Sequence, residues 1–260
     1  MKKIITFLFV FLCLTLTSYA SDVRLVQVTD IRYSQKENSD TIKTFVQKIN
    51  QRNDIDFVVF TGDNINRPNE DDLKQFIKEI KKLKCPFYIA LGERDVNKHK
   101  HLGKIEYNKI LRKQIFRYKK YANPNYTFEK NGLVFVVADG SKDVIPSTNG
   151  YYKESVLSWL DEQLKHNSKK NVIILQHFPI IPPLEKEMYY TYEPEKYLEI
   201  LAKNPNAKAV ISGHFGVNSQ KEMNNVIHIT TAPLPQYRII DILDCDTSSP
   251  EIWSQLMSIK

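Results

Sequence analysis

Glycine is scarce in this chain: 8 residues in 260, about 3 % against a usual share of about 7 %. That excludes collagen-like and flexible glycine-rich architectures, and it reserves glycine for turns that need positive φ or a close backbone approach. Gly62, Gly92, Gly213 and Gly216 fall in three short motifs. Cysteine is sparser still, with three residues, too few for a disulfide-built scaffold. No internal repeat, coiled coil or low-complexity tract is present. The longest apolar run, Ile4 to Thr17, falls short of the ~18 residues that a membrane-spanning helix wants. With 42 % hydrophobic and 26 % charged residues, the remainder reads as globular, with one core and one domain.

What is present begins as an address. Met1-Lys2-Lys3 is positive, Ile4 to Thr17 is apolar, and Ser18 and Ala20 are small. Those three parts predict a secretory signal peptide over 1–20 and a domain over 21–260, cut after Ala20 and extracytoplasmic, either periplasmic or secreted. An uncleaved anchor is the alternative. Cys13 follows Leu12 and lacks the small residue of a lipoprotein cut site, so no lipid anchor is expected. Loss of Lys2 and Lys3 takes the formal charge from +7 to +5. Cys85 and Cys245 then remain in an oxidising compartment, either as one disulfide or as two buried thiols.

Apolar runs alternate with amphipathic ones. Strands are predicted over 23–29, 55–61, 86–91, 133–138, 172–176, 207–212, 226–231 and 237–243. Several are continuous Val/Ile/Leu/Phe stretches, the pattern of strands buried on both faces. Between them, 40–50, 70–83 and 155–164 place apolar residues on one helical stripe. Strand then helix, repeated, means an α/β fold with a mostly parallel sheet. Residues 98–120 hold nine Lys/Arg and one acid, Glu106. Tyr107, Ile110, Leu111, Ile115 and Tyr118 are at helical spacing there, which predicts a cationic amphipathic helix. It has two readings: a solvated basic face over the core, or a surface that steers anionic substrate or touches anionic lipid.

Open α/β sheets place ligands beyond the carboxyl ends of their strands. Five such ends carry chemistry here: Thr29-Asp30-Ile31-Arg32, Thr61-Gly62-Asp63-Asn64, Leu91-Gly92-Glu93-Arg94-Asp95, Gln176-His177-Phe178-Pro179 and Ser212-Gly213-His214-Phe215-Gly216. One Asp or His after a strand is usually a turn or cap residue. Five together, three beside a glycine, point to a shared metal site.

In that order and spacing the chain resembles the calcineurin-like metallophosphoesterases, whose blocks read Asp-x-His, Gly-Asp, Gly-Asn-His-Asp/Glu, a lone His, and Gly-His-x-His. The Trp159-Leu160 helix also matches. The resemblance implies a four-layer α/β/β/α sandwich with mixed sheets and a two-metal centre that clamps a phosphoryl group. It also marks departures. Arg32 stands where the first His ligand belongs and Gly216 where the last belongs, which leaves that site Asp30 and the shared Asp63. The other site keeps Asp63, His177 and His214, with Glu93 in place of an amide, a set suited to one Mn, Zn or Fe ion. Arg94 replaces the proton-donating His and cannot act as a general acid near neutrality; Asp95 is retained.

Two functions follow as expectations. One is a metal-dependent phosphoesterase for a phosphorylated small molecule or other anionic substrate, with Asp30, Asp63, Glu93, His177 and His214 as metal ligands, Arg32 replacing a lost metal's charge, and Arg94 and Asp95 in the catalytic set. The other is a non-catalytic anion-binding or interaction module, with both arginines salt-bridged to Asp30, Glu93 or Asp95. No nucleic-acid partner is expected, because no recognition module is present. His99 and His101 are expected at the surface, and His166 and His228 in structural roles.

Overall fold

The computed structural model describes residues 22–185 and 188–259; the predicted leader over 1–20 lies outside them. Two mixed sheets form the centre. The first has the order β11 (Glu251–Ser258), β10 (Gln236–Leu243), β1 (Val23–Val28), β2 (Phe57–Thr61), β3 (Phe87–Ala90). The second runs β4 (Tyr126–Lys130), β5 (Leu133–Val137), β6 (Val172–Leu175), β7 (Ala207–Ser212), β9 (Val226–Thr230), β8 (Ser219–Met223). The motif-bearing strands pair in parallel, β1 with β2 and β2 with β3, then β5, β6, β7 and β9 in turn. Antiparallel strands close three of the four edges, so each sheet is mixed, as the resemblance implies, with parallel pairs in the majority only in the second.

The continuous apolar runs have a simple cause. Along β5 and β6, Phe135, Val137, Ile173 and Leu175 face the first sheet, while Val134, Val136, Val172 and Ile174 join a separate core. That second core is completed by Leu157, Leu160 and Leu164 of α4 (Glu154–His166) and Tyr197 and Leu201 of α5 (Pro194–Lys203). On the other side, α1 (Ser39–Asn50) and α2 (Glu70–Ile80) bury Ile42, Phe45, Leu73 and Phe76 on the first sheet. Helix, sheet, sheet, helix is the four-layer order. Period-two burial on both faces removes the polar alternation that a half-solvated strand shows.

The basic stretch does not form one helix. Residues 98–100 and 116–120 are 3₁₀ turns, and α3 covers only Lys104–Gln114. Ile115 breaks it with extended backbone, φ −121°. The apolar stripe still faces inward, with Tyr107, Leu111, Ile115 and Tyr118 buried. Tyr118 and Tyr126 cap the open edge of β3: the Ile89 N–H donates to both hydroxyls at 2.6 and 3.0 Å, and the Tyr126 hydroxyl donates to the Ile89 carbonyl at 2.9 Å. Such capping satisfies backbone groups that would otherwise template another strand. Cys85 and Cys245 are free thiols, Cys245 buried and Cys85 half-buried.

Candidate metal centre

The carboxyl ends of β1, β2, β3, β6 and β7 meet at one place, and glycine is what lets them meet. A Cβ on Gly62, where φ is +91°, would lie 2.5 Å from His177 Nδ1. One on Gly213 would lie 1.9 Å from Thr29 Oγ1, where the two sheets close on each other. No side chain fits either contact. Asp30, Arg32 and Asp63 at φ +51° and His214 at φ +72° hold left-handed backbone without being glycine. Strain of this kind concentrates at functional sites, where surrounding contacts enforce it.

His177 and His214 form the middle of the cluster, both nearly inaccessible to solvent. His177 Nδ1 lies 2.7 Å from the Thr61 carbonyl and His214 Nε2 lies 2.8 Å from the Thr148 carbonyl. A carbonyl only accepts, so each of these outer nitrogens carries a proton and donates it. The inner nitrogens, His177 Nε2 and His214 Nδ1, then face each other at 3.1 Å, with Glu93 Oε2 at 2.9 and 3.3 Å. With both outer nitrogens protonated, the inner pair needs a cation in its midst, either a proton on His177 Nε2 given to Glu93 or a metal ion in that proton's place. Backbone carbonyls that fix the tautomer and ring angle are the usual outer support of histidine metal ligands.

The electrostatics favour a cation there. Burial alone would lower the His177 pKa, but the carboxylates of Asp63 and Glu93 overturn that and raise it to about 10. Burial likewise opposes charge on Glu93, yet His177 and His214 hold it well below the usual carboxylate range. Asp63 goes the other way: desolvation dominates and raises it despite His177.

Asp63 is fully buried and lies 3.5 Å from His177 Nε2. Its Oδ1 accepts the Arg94 backbone N–H at 2.9 Å. Its Oδ2 has no hydrogen-bond partner among the described residues, although Arg94 Nε and Arg32 Nε stand 3.2 and 3.8 Å away. An orphaned buried acceptor beside two imidazoles fits a metal ligand. Asp30 is different. Its Oδ2 accepts from the Thr29 hydroxyl and the His214 N–H, and its Oδ1 accepts from Arg32 Nη2 at 3.2 Å. Two groups have donor atoms within reach of one ion: Glu93, His177 and His214, and Asp30, Asp63 and His177.

All eight residues singled out in the sequence lie at or beside this cluster, in unequal roles. Arg32 pairs with Asp30, as a replacement for a missing ion's charge would. Arg94 pairs with Asp63, with neither Glu93 nor Asp95. Asp95 is inaccessible to solvent, and burial raises its pKa to about 6 against the N–H groups that hold it. Its two oxygens accept from the backbone N–H groups of Asn64, Ile65 and Gly92 and from Asn64 Nδ2. In this geometry it ties the β2 and β3 turns together and does not reach the cleft. His99 and His101 are exposed and outside the cluster. Sequence reasoning missed Thr148, whose carbonyl comes from a loop with no motif. It also missed Tyr189, whose ring lies 5.4 Å from that of His214.

Comparisons with known proteins bear on the family and the fold. A family model described as calcineurin-like phosphoesterase matches residues 23–218. A probable glycerophosphodiester phosphodiesterase of Arcobacter nitrofigilis is 25 % identical over 194 residues, 71 % of this chain and 64 % of that protein's length. A probable cyclic nucleotide phosphodiesterase of Coxiella burnetii is 27 % identical over 204 residues, 74 % of this chain and 75 % of the relative. The chain thus spans just under two thirds of the first relative. Among solved structures, a dimetal phosphatase of Danio rerio superposes with a TM-score of 0.67 at 13 % identity, over 92 % of this chain and 99 % of that one. That likeness is one of fold. With the family model covering three quarters of its residues, this chain belongs to the calcineurin-like phosphoesterase family.

Proposed function

We propose that this chain is a phosphoesterase working outside the cytoplasm with a single divalent ion, held by Glu93, His177 and His214 with Asp63 Oδ2 beside them. The observation that carries the reading is the convergence of His177 Nε2, His214 Nδ1 and Glu93 Oε2, each ring oriented by a backbone carbonyl. Glu93, His177 and His214 would hold the ion, whose chemistry there would be Lewis acidity toward a phosphoryl oxygen and a lowered pKa for water. A second ion has little to bind, since Asp30 is engaged by Thr29, His214 and Arg32. Extracytoplasmic location rests on the leader at 1–20 alone.

The chain's own residues supply the rest. Arg32 and Arg94 are 38 % and 41 % exposed at their side chains while their Nε atoms are buried against Asp63. The outer N–H groups of Arg94, and those of Arg32 not given to Asp30, are therefore placed to bind and orient phosphoryl oxygens and to offset the charge that grows on them. Among the described residues the cleft has no imidazole besides the two proposed ligands to protonate a leaving oxygen near neutrality. Esters with acidic leaving groups are accordingly the preferred substrates, and the names of the two relatives make phosphodiesters the first class to try.

The test is metal content followed by turnover. Purified chain retains about one equivalent of Mn, Zn or Fe, which His177→Ala and His214→Ala lose, and it hydrolyses an aryl phosphodiester in a way that Asp63→Asn abolishes. Absence of bound metal under every loading condition sinks the reading. A second reading, an anion binder without turnover, is favoured by the neutralisation of Asp30 and Asp63 by Arg32 and Arg94; phosphate binding without hydrolysis is its signature.

A further inference from the structure

A separate face of the molecule has features that the hydrolytic site does not use. Phe116, the first residue of the 3₁₀ turn after α3, is 83 % exposed. It stands on the lip of a groove of about 880 Å³ whose floor is Cys85, Pro86, Phe87 and Ile115. The charged lining is Lys81, Lys84, Arg117, Lys119 and Lys120, with no acidic residue among them. Among the described residues none of these five forms an ion pair, although Arg117 lies over the Tyr88 ring, Lys119 over Phe116 and Lys120 over Tyr121. On α3 itself, Lys109 and Arg112 extend the charge and Ile105 is 79 % exposed. Of the acids around it, none lines the groove: Glu70 and Glu79 on α2 pair with Lys74 and Lys82, Asp56 near Cys85 pairs with Lys130, and Glu106 lies on α3.

We propose that this face docks on an anionic phospholipid bilayer, with lipid phosphates in the basic groove and Phe116 in the boundary between headgroups and acyl chains. Charge complementarity selects a polyanionic surface. The exposed aromatic selects lipid among polyanions, because a bare phenyl ring surrounded by lysines gains nothing from a soluble polyanion and gains its burial free energy from a bilayer interface. The groove lies at the amino end of β3, around Pro86 and Phe87, and the metal cluster follows its carboxyl end at Gly92 to Asp95. Docking therefore leaves the cleft open.

The test uses the chain from Ser21, which contains both sheets and all five helices but not the apolar run at 4–17, in co-sedimentation with vesicles. It binds phosphatidylcholine vesicles containing phosphatidylglycerol and not phosphatidylcholine alone, and raising salt to ~0.5 M releases it. The triple variant R117Q/K119Q/K120Q binds about a hundredfold more weakly, at roughly fivefold per lost basic contact. Phe116→Ser, which changes no charge, binds about tenfold more weakly. Circular dichroism and melting of both variants match the parent, since these side chains are at the surface. Failure to bind the anionic vesicles, equal binding to neutral ones, or an unaffected Phe116→Ser overturns the proposal. So does a heparin fragment that binds as tightly as the vesicles, since that makes the face a general polyanion site.

Discussion

His214 Nδ1 stands 3.1 Å from His177 Nε2, and each ring donates its outer N–H to a backbone carbonyl, that of Thr148 for one and of Thr61 for the other. The shared inner space is a cation's place. A ligand that binds only the folded state at a hundred times its Kd stabilises it by about 2.7 kcal/mol. For a chain of this size that raises Tm by roughly 5–10 °C. Calorimetry with and without saturating Mn²⁺ or Zn²⁺ measures it. His214→Ala removes the shift and Lys109→Ala keeps it; a parent protein indifferent to every divalent ion contradicts the site.

If one metal site is lost, as proposed, two substitutions rebuild it. A Cβ at Gly216 meets nothing within 4 Å, so there is room for a side chain where the family has a histidine. Its φ of +76° costs a non-glycine residue about 1 kcal/mol, and histidine is among the residues that tolerate it. Arg32→His with Gly216→His frees Asp30 from its guanidinium and adds two imidazoles. Metal analysis of the double variant gives one equivalent more than the parent. An unchanged stoichiometry means the second site is closed by more than these two substitutions.

On the proposed reading, Arg94 sets the leaving-group preference. A guanidinium holds its charge and transfers no proton at neutral pH. Rates across a series of esters fall steeply as the leaving group becomes more basic, and alkyl esters are nearly inert. Arg94→His restores a group that titrates near neutrality. It raises the alkyl-to-aryl rate ratio by about ten- to a hundredfold, even where the absolute aryl rate drops. A ratio unmoved by the substitution shows that position 94 does not face the leaving oxygen.

His228 makes stability depend on pH away from the site. It lies on β9 opposite Val210 and Lys221, and burial lowers its pKa to about 4. The unfolded chain binds a proton there below about pH 6.5 while the folded chain does so only near 4, so stability is full above 6.5 and is lost as pH falls between those values. The loss is at most about 3 kcal/mol. Urea titrations from pH 7 to 4.5 measure it, and His228→Gln has a shallower slope than the parent. Equal slopes assign the acid sensitivity to carboxylates.

The strands legible in the sequence were those with apolar runs on both faces. β4, β8, β11 and α5 were not legible. β4 and β8 are edge strands with charged or polar residues, Tyr126–Lys130 and Ser219–Met223, and an edge needs no continuous apolar run to pair. β11 exposes Trp253 and Leu256 and is held by its ladder to β10. α5 begins at Pro194 after Glu193 in left-handed backbone, which reads locally as a loop. The helix over 98–120 was over-read because its stripe is real, yet periodicity does not register the break at Ile115.

The residue types at five strand ends, the glycines between them and the two arginines in place of histidines were determined by sequence alone, because ligand chemistry and turn geometry are local properties. Only the tertiary structure decided which carboxylate each arginine faces, that Asp95 spends both oxygens on backbone N–H groups, and that Thr148 orients His214. Those are contacts between segments as far apart as Asp30 and His214, and their distances exist only once two sheets pack face to face. The glycine shortage divides along the same line. Gly62 and Gly213 are required by neighbours brought near in space, whereas Gly216 has open space beside it, at the position where the family's motif has a histidine.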